Sequence, residues 1–227
     1  KCSTSESNKP NSNICPICTG TPGSKPMLVN KEAIKKLIQV GLILNCKIEE
    51  KKDLIFQRKH YNWPDLPKGF QNTISGAHCS FPAYEGNFKD INIWECHLEE
   101  DPAQWNPENG YINYNRSGLP LVEVVTAPDF REVEKVISWL KNFILSLSYI
   151  KAIKKNAGIK VDVNISTYGE RVEIKNLNSL EKIQKAINYE ISRQLEANQN
   201  NEKIIQETRR YDELKEKTFR MRTKENA

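Results

Sequence analysis

An α+β domain built on a mostly antiparallel sheet is what this sequence predicts, and three observations predict it. Residues 130–150 repeat apolar side chains at helical spacing, and so does the stretch from Leu180 to about Glu196. Two other runs alternate with period two: Val161, Val163 and Ile165 against Asp162, Asn164 and Ser166, then Val172 and Ile174 against Arg171, Glu173 and Lys175. The short connection at Thr167-Tyr168-Gly169-Glu170 makes these runs a hairpin, pairing Ser166 with Arg171, Asn164 with Glu173 and Asp162 with Lys175. Strands mixed with two long covering helices give the α+β class.

The elements follow in order. Residues 1–30, rich in Pro, Gly, Asn and Ser, form a loop-rich segment within one domain that spans 1–227. Asn30 caps a helix from Lys31 to Gly41 whose apolar face is Ala33, Ile34, Leu37 and Ile38. Residues 43–58 suit a strand or hairpin, whereas Arg58 to Gln71 carries too many prolines for regular structure. In that loop the rings of Tyr61 and Trp63 suit packing, and some of its cations suit contact with phosphate. Strands are expected near 90–100, 110–117, 119–127, 158–166 and 171–177. The helix at 130–150 takes Asp129 as N-cap and Glu132 as the reciprocal partner, burying Val133, Val136, Ile137, Leu140, Phe143, Ile144 and Leu147. The next helix follows Asn178 and Ser179 and buries Ile183, Ala186, Ile187, Ile191 and Leu195; polar strands or loops return from Lys203.

A chain of 227 residues can bury one substantial core, or two small ones, without disulfides. With 38% hydrophobic and 28% charged residues it is neither wholly disordered nor a membrane protein, and it shows no membrane-length apolar run or hydrophobic signal region. The net charge of +5 is compatible with a polyanionic partner such as RNA.

Glu123 is the most informative residue. It interrupts the apolar run Leu119-Pro120-Leu121-Val122-Glu123-Val124-Val125, where an ionised carboxylate needs a cation, hydrogen bonds or water. The plain alternative is a half-exposed strand whose outward position carries a Glu. Together with His97-Leu98-Glu99-Glu100-Asp101 and the polar hairpin face, Glu123 suggests a shared acidic site of hard oxygen ligands suited to Mg²⁺.

Six cysteines are present; Cys15-Pro16-Ile17-Cys18 with Cys2 has the spacing of a zinc knuckle, a disulfide or unrelated thiols being the alternatives. The fourth ligand is open: His60, His78 or a cysteine upstream of Lys1.

Several strings, in their order along the chain, resemble the B subunits of the aspartyl/glutamyl-tRNA amidotransferases, the GatB family, over essentially the whole sequence. They are Asn11 to Cys18 with Pro22-Gly23, Tyr61, Pro64-Asp65-Leu66-Pro67-Lys68-Gly69, His97 to Asp101, Tyr114 to Val125, Arg171 to Ser179, and Gln206 to Arg210 with Met221-Arg222. The resemblance implies a cradle-shaped catalytic domain related to glutamine synthetase, working with the A and C subunits on Glu-tRNA(Gln) and often Asp-tRNA(Asn). In that family the A subunit releases ammonia from glutamine. The B subunit uses ATP and Mg²⁺ to phosphorylate the aminoacyl carboxylate, from which ammonia displaces phosphate.

Carried onto matching positions, the resemblance makes Glu100, Glu123 and Glu173 the Mg²⁺ acids, with Asp162 beside them. Lys175 or Arg116 would neutralise the transferring group and touch ATP, unless each is a salt-bridge partner on the sheet. Cys2, Cys15 and Cys18 would hold structural Zn²⁺, and the family pattern adds a cysteine two residues before Cys2. A soluble protein of a bacterial cytoplasm, mitochondrial matrix or plastid is implied, not a secreted one.

The chain departs from the family pattern at Lys154 to Lys160, at Pro102-Ala103 and at Asn113. The family's opening strand, with a Glu and a His near the metal, is expected before Lys1, and its tRNA-gripping domains after Ala227. Competing expectations are a zinc-stapled RNA-binding or scaffolding relative without phosphoryl transfer, and the archaeal-type paralogue specific for Glu-tRNA(Gln).

Overall fold

The computed structural model describes residues 1–2, 7–25, 28–49, 56–60, 63–74, 83–153 and 159–223. They pack as two compact units, Lys1–Asp129 and Phe130–Ala227, each with its own sheet. The α+β class, the mainly antiparallel pairing and the three expected helices hold, but among the described residues the strands form a six-stranded sheet, a four-stranded sheet and a two-stranded ribbon in place of the single covered sheet.

In the first unit α1 (Lys31–Ile43) begins at Asn30, whose side chain accepts the N–H groups of Glu32 and Ala33, as expected of an Asn cap. Short strand β1 (Lys47–Ile48) follows, then β2 (Gln57–His60), β3 (Phe70–Ile74), β4 (Ala83–Phe88), β5 (Ile91–Glu100) and the ribbon β6 (Gln104–Trp105) with β7 (Ile112–Asn113). The stretch expected to be too Pro-broken for structure does form strands at both ends, β2 and β3, which pair Lys59 with Gln71; the prolines occupy only the connection between them. Trp63 stacks edge-on against Trp105 at 5.6 Å, so this ring packs as expected, while Tyr61 lies outside the described residues. The expected strand at 110–117 shrinks to β7 and a 3₁₀ turn at Tyr114–Arg116, because Asn113 caps that turn by accepting the Asn115 N–H.

β8 (Pro120–Thr126) runs along one edge of β5 from Ile93 to Glu100, leaving β4 and β3 to pair the other edge in succession. Directly opposed residues in antiparallel strands share a face. Cys96, Leu98, Val122, Val124 and Ala83 therefore lie on one face, which α1 covers with Leu37, Val40 and Gly41. Lys59, Gln71, Thr73, Glu99, His97 and Glu123 lie on the other.

In the second unit α2 (Val133–Tyr149) begins at Glu132 without a side-chain cap. Asp129, expected to cap it, instead accepts the Asn92 backbone N–H at 2.9 Å, so its carboxylate is already committed to the end of β5. Trp139, outside the expected stripe, is buried between Phe130 and Phe143. The hairpin of β9 (Val161–Ile165) and β10 (Val172–Leu177) has the expected Asn164–Glu173 pairing. Beyond Ile174 the ladder bulges at Asn176, whose φ of 65° suits an Asn in the left-handed region. The extra residue lets Leu177 rejoin Val172 and Ile174 on the buried face.

Ser179 caps α3 (Leu180–Gln199) by accepting the Lys182 N–H, as expected. α3 then carries the chain to β11 (Glu207–Asp212), which pairs parallel with β10, and β12 (Lys217–Thr223) returns antiparallel. The buried stripe of α3 runs Ile183, Ala186, Ile187, Glu190, Gln194 and Ala197; Leu195, expected inside, is 47% exposed. No helix among the described residues is long and apolar enough to cross a membrane.

Candidate functional site

Strand pairing decides which acids meet. In the β5–β8 ladder His97 stands opposite Glu123, and alternation places Glu95 and Glu99 on the same side of β5 as His97. His97 Nε2 lies 2.8 Å from Glu123 Oε2 and 3.7 Å from Glu99 Oε1, and Nδ1 lies 3.4 Å from Glu95 Oε2. Ligand atoms of His97, Glu99 and Glu123 all fall within 4.8 Å of one another. Glu123 thus satisfies both readings of its odd position: it is on the outward face of a half-exposed strand, and it is bound there to a buried imidazole.

The electrostatics of the group are strongly coupled. Burial pushes His97 down, but hydrogen bonds to Glu123 and Glu99 and the charges of Glu123 and Glu95 overcome it, raising the imidazole to about 9. Burial works the other way on Glu99, yet hydrogen bonds from His97 and Lys59 hold its carboxyl down to about 2. Lys59 Nζ sits 2.5 Å from Glu99. His97 Nδ1 and Glu95 Oε2 are buried without a hydrogen bond. Three carboxylates around an imidazole, with such orphaned atoms among them, fit a hard divalent cation. Glu99 and Glu123 would hold it, with His97 joining only after losing its proton.

Glu100 projects from the opposite face of β5. It pairs with Lys68 at 2.6 Å, half-buried beside a small cavity lined by Leu66, Phe70, Asp101 and Ser117. The structure therefore brings Glu123 together with Glu99, not with Glu100. Arg116 forms a two-nitrogen pair with Asp101, Nε at 2.8 Å and an Nη at 2.6 Å, the salt-bridge alternative foreseen for it.

Asp162, Glu173 and Lys175 cluster on the outward face of the second unit's sheet. Asp162 accepts Lys175 Nζ at 2.7 Å and the N–H of the bulged Asn176 at 3.1 Å. Lys175 also reaches Glu173 at 3.2 Å, and Glu173 accepts the Thr208 hydroxyl at 3.1 Å. Burial lowers Lys175, but the hydrogen bond and charge of Asp162, with those of Glu173, raise it above its ordinary value.

The cysteines of the first unit also converge. Cys15 and Cys2 each lie 3.6 Å from Cys18 sulfur to sulfur, far too long for a disulfide. Burial pushes the Cys18 thiol up, but hydrogen bonds from the backbone and thiols of Cys2 and Cys15 pull it down to about 7. A buried thiol ready to ionise beside two others fits a thiophilic metal. Among the described residues neither His60 nor a fourth cysteine joins this group, and His78 lies outside them.

Sequence reasoning missed His97, Glu99 and Lys68 as site residues. The signal was present: in His97-Leu98-Glu99 the two polar side chains have strand spacing, so they share the face that Glu123 occupies, whereas Glu100 has the wrong parity.

A family described as the GatB/GatE catalytic domain matches residues 1–227. The B subunit of the aspartyl/glutamyl-tRNA(Asn/Gln) amidotransferase of Methanopyrus kandleri is 42% identical over 224 residues, covering 98% of this chain and 47% of that protein. The proteins of the same name from Methanocaldococcus jannaschii and Methanococcus vannielii are 42% and 44% identical, covering 96% of this chain and 46% of theirs. The chain spans about half the length of the curated relatives it matches. Agreement along the entire sequence, through the cysteine turn and both acid-bearing sheets, leaves one assignment: the chain belongs to the GatB/GatE catalytic domain family.

Proposed function

We propose that this domain activates the side-chain carboxylate of Glu-tRNA(Gln), and of Asp-tRNA(Asn) where that is made, by phosphoryl transfer from ATP. Ammonia, delivered by a glutaminase partner (the A subunit, held with the C subunit), then displaces phosphate to give the amide. A free carboxylate is a poor acyl donor because oxide is a poor leaving group; its acyl phosphate is a good one. The observation that carries this reading is the His97, Glu99 and Glu123 group on paired strands, in a chain whose relatives are named as tRNA amidotransferase subunits.

Phosphoryl transfer demands positioning and charge neutralisation more than a side-chain nucleophile. Glu99 and Glu123 would hold Mg²⁺, which when bound would supply that charge neutralisation. His97 fixes the Glu123 carboxylate through the 2.8 Å hydrogen bond, and Lys59 fixes Glu99. On the second unit's own sheet Lys175, braced between Asp162 and Glu173, presents a cation to anionic groups. Lys68 and Arg116 are cations already paired with Glu100 and Asp101, available to anions that compete for them.

Aminoacyl-tRNA-dependent ATP hydrolysis by the full-length protein in its complex tests the assignment. Glu123→Ala and Glu173→Ala are each expected to lower turnover by about 10²-fold or more. Unchanged turnover in both would remove phosphoryl transfer from this domain and leave tRNA binding or scaffolding. For the cysteines, metal analysis of purified protein is expected to find about one zinc per chain; a value near zero in protein carrying the upstream cysteine would rule that out.

A further inference from the structure

The cysteine turn contributes nothing to the acid group, yet it is wedged between the two loops that carry Lys68 and Arg116. Gly20, at the end of the turn, has φ +64°, and a Cβ built on it would overlap the Pro67 carbonyl group, 2.6 Å from its carbon and 3.0 Å from the Lys68 backbone nitrogen. Contacts this short are met only where no side chain exists, so Gly20 lets two backbones touch. On the other flank the buried Ser117 hydroxyl donates to the Cys18 carbonyl at 2.9 Å. Ahead of the turn, the Asn11 side chain accepts the Tyr114 N–H at 2.8 Å, and the Asn13 N–H donates to the Asn115 side chain at 3.1 Å. Lys68 and Arg116 leave these two clamped loops for Glu100 and Asp101, each at 2.6 Å.

We propose that the cysteine turn is a positioning element: Gly20 and the Cys18 carbonyl set the spacing of the Lys68 and Arg116 loops and so hold Lys68 on Glu100. Its effect on turnover rests on the phosphoryl-transfer reading; its effect on Lys68 does not. Any metal held by the thiols stiffens the wedge, but the contacts that do the positioning are backbone and hydroxyl groups.

The full-length protein in its complex, with lysines ¹³C-methylated and the Lys68 resonance identified by its loss in Lys68→Arg, provides the test. Gly20→Ala is expected to move that resonance toward those of solvent-exposed lysines with metal content unchanged. It should also lower kcat for ATP turnover by up to about tenfold, the loss expected when Lys68 leaves its Glu100 anchor, with little change in KM for tRNA. Gly23→Ala is the control: at φ +82° it carries a comparable left-handed backbone cost but has nothing within 4 Å, so Lys68 should stay in place. If Gly20→Ala does not fold, Ser117→Ala removes the other clamp without adding bulk and should move Lys68 in the same direction.

An unmoved Lys68 resonance in whichever variant folds, or an equal shift in Gly23→Ala, overturns the proposal. Loss of metal in step with the shift also overturns it, because collapse of the thiol group would then be the cause. The Lys68 shift is read without turnover, so it stands or falls separately from the Glu123→Ala assay.

Discussion

Glu99→Gln is expected to lower aminoacyl-tRNA-dependent ATP turnover by about 10²–10³-fold, the scale seen when a preorganised charge contact at a transition state is lost. Glu100→Gln, one residue along the same strand, is expected to cost roughly tenfold at most, since uniform binding and positioning are all it can disturb. Both changes remove one negative charge, so net charge cannot separate them. Geometry does. Glu99 is 9% exposed, receives Lys59 at 2.5 Å, and shares a face with His97 and Glu123; Glu100 points the other way, to Lys68. The amide that replaces the Glu99 carboxylate would keep one acceptor for Lys59 but would bring a neutral group to the cation site, and cation affinity should fall with turnover. Mn²⁺ binding followed by electron paramagnetic resonance on the same variants supplies the second measurement. Strong loss of Mn²⁺ in Glu100→Gln with none in Glu99→Gln would return the cation to the opposite face of β5.

The contrast between those two neighbours marks the boundary of what a sequence reveals. Period-two alternation places Asn164 opposite Glu173 and puts Asp162 beside Lys175, because a half-buried hairpin fixes its own register. Helix signals of the Asn30 and Ser179 type are equally legible, since a cap needs only local residues. Asp129 has the same local chemistry and misleads: the Asn92 N–H that captures it is 37 residues away. His97 is hidden for a related reason. Its importance depends on which strand lies alongside β5, and pairing with β8 crosses the β6–β7 ribbon and the 3₁₀ turn. The cysteine group is plain from C-x-x-C spacing, but its contact with Pro67 rests on a tertiary approach that a single glycine among ten does not announce.

Glu190→Ala is expected to destabilise the second unit by about 3–5 kcal/mol, the usual consequence of removing one partner from a buried ionic network. Glu190 is fully buried on α3, a position that polarity alone would have assigned to solvent. Its carboxylate accepts from Arg193 at 2.6 and 3.0 Å, from Gln194 at 3.0 Å and from the Thr218 hydroxyl at 3.1 Å. Arg209, 3.7 Å away, is shared with the nearly buried Glu207. Truncation to alanine leaves these donors facing a cavity too dry to solvate them, so the penalty is desolvation as much as lost attraction. Trp139 is the sole tryptophan of residues 130–227, and in a variant with Trp63, Trp94 and Trp105 replaced by Phe its fluorescence follows this unit during urea unfolding of the full chain. A fall below about 1 kcal/mol would show that water or rearrangement satisfies the donors, contrary to the burial described. The network also reaches the candidate site. Gln194, oriented by Glu190, accepts the Thr167 N–H and hydroxyl, both at 2.8 Å, and donates to the Ile165 carbonyl at 3.3 Å, pinning the turn between the strands that carry Asp162 and Glu173. Loss of Glu190 should therefore reduce turnover before the unit unfolds, because register at Asp162 and Glu173 loosens while the apolar core of Val172, Ile174 and Ile183 still holds.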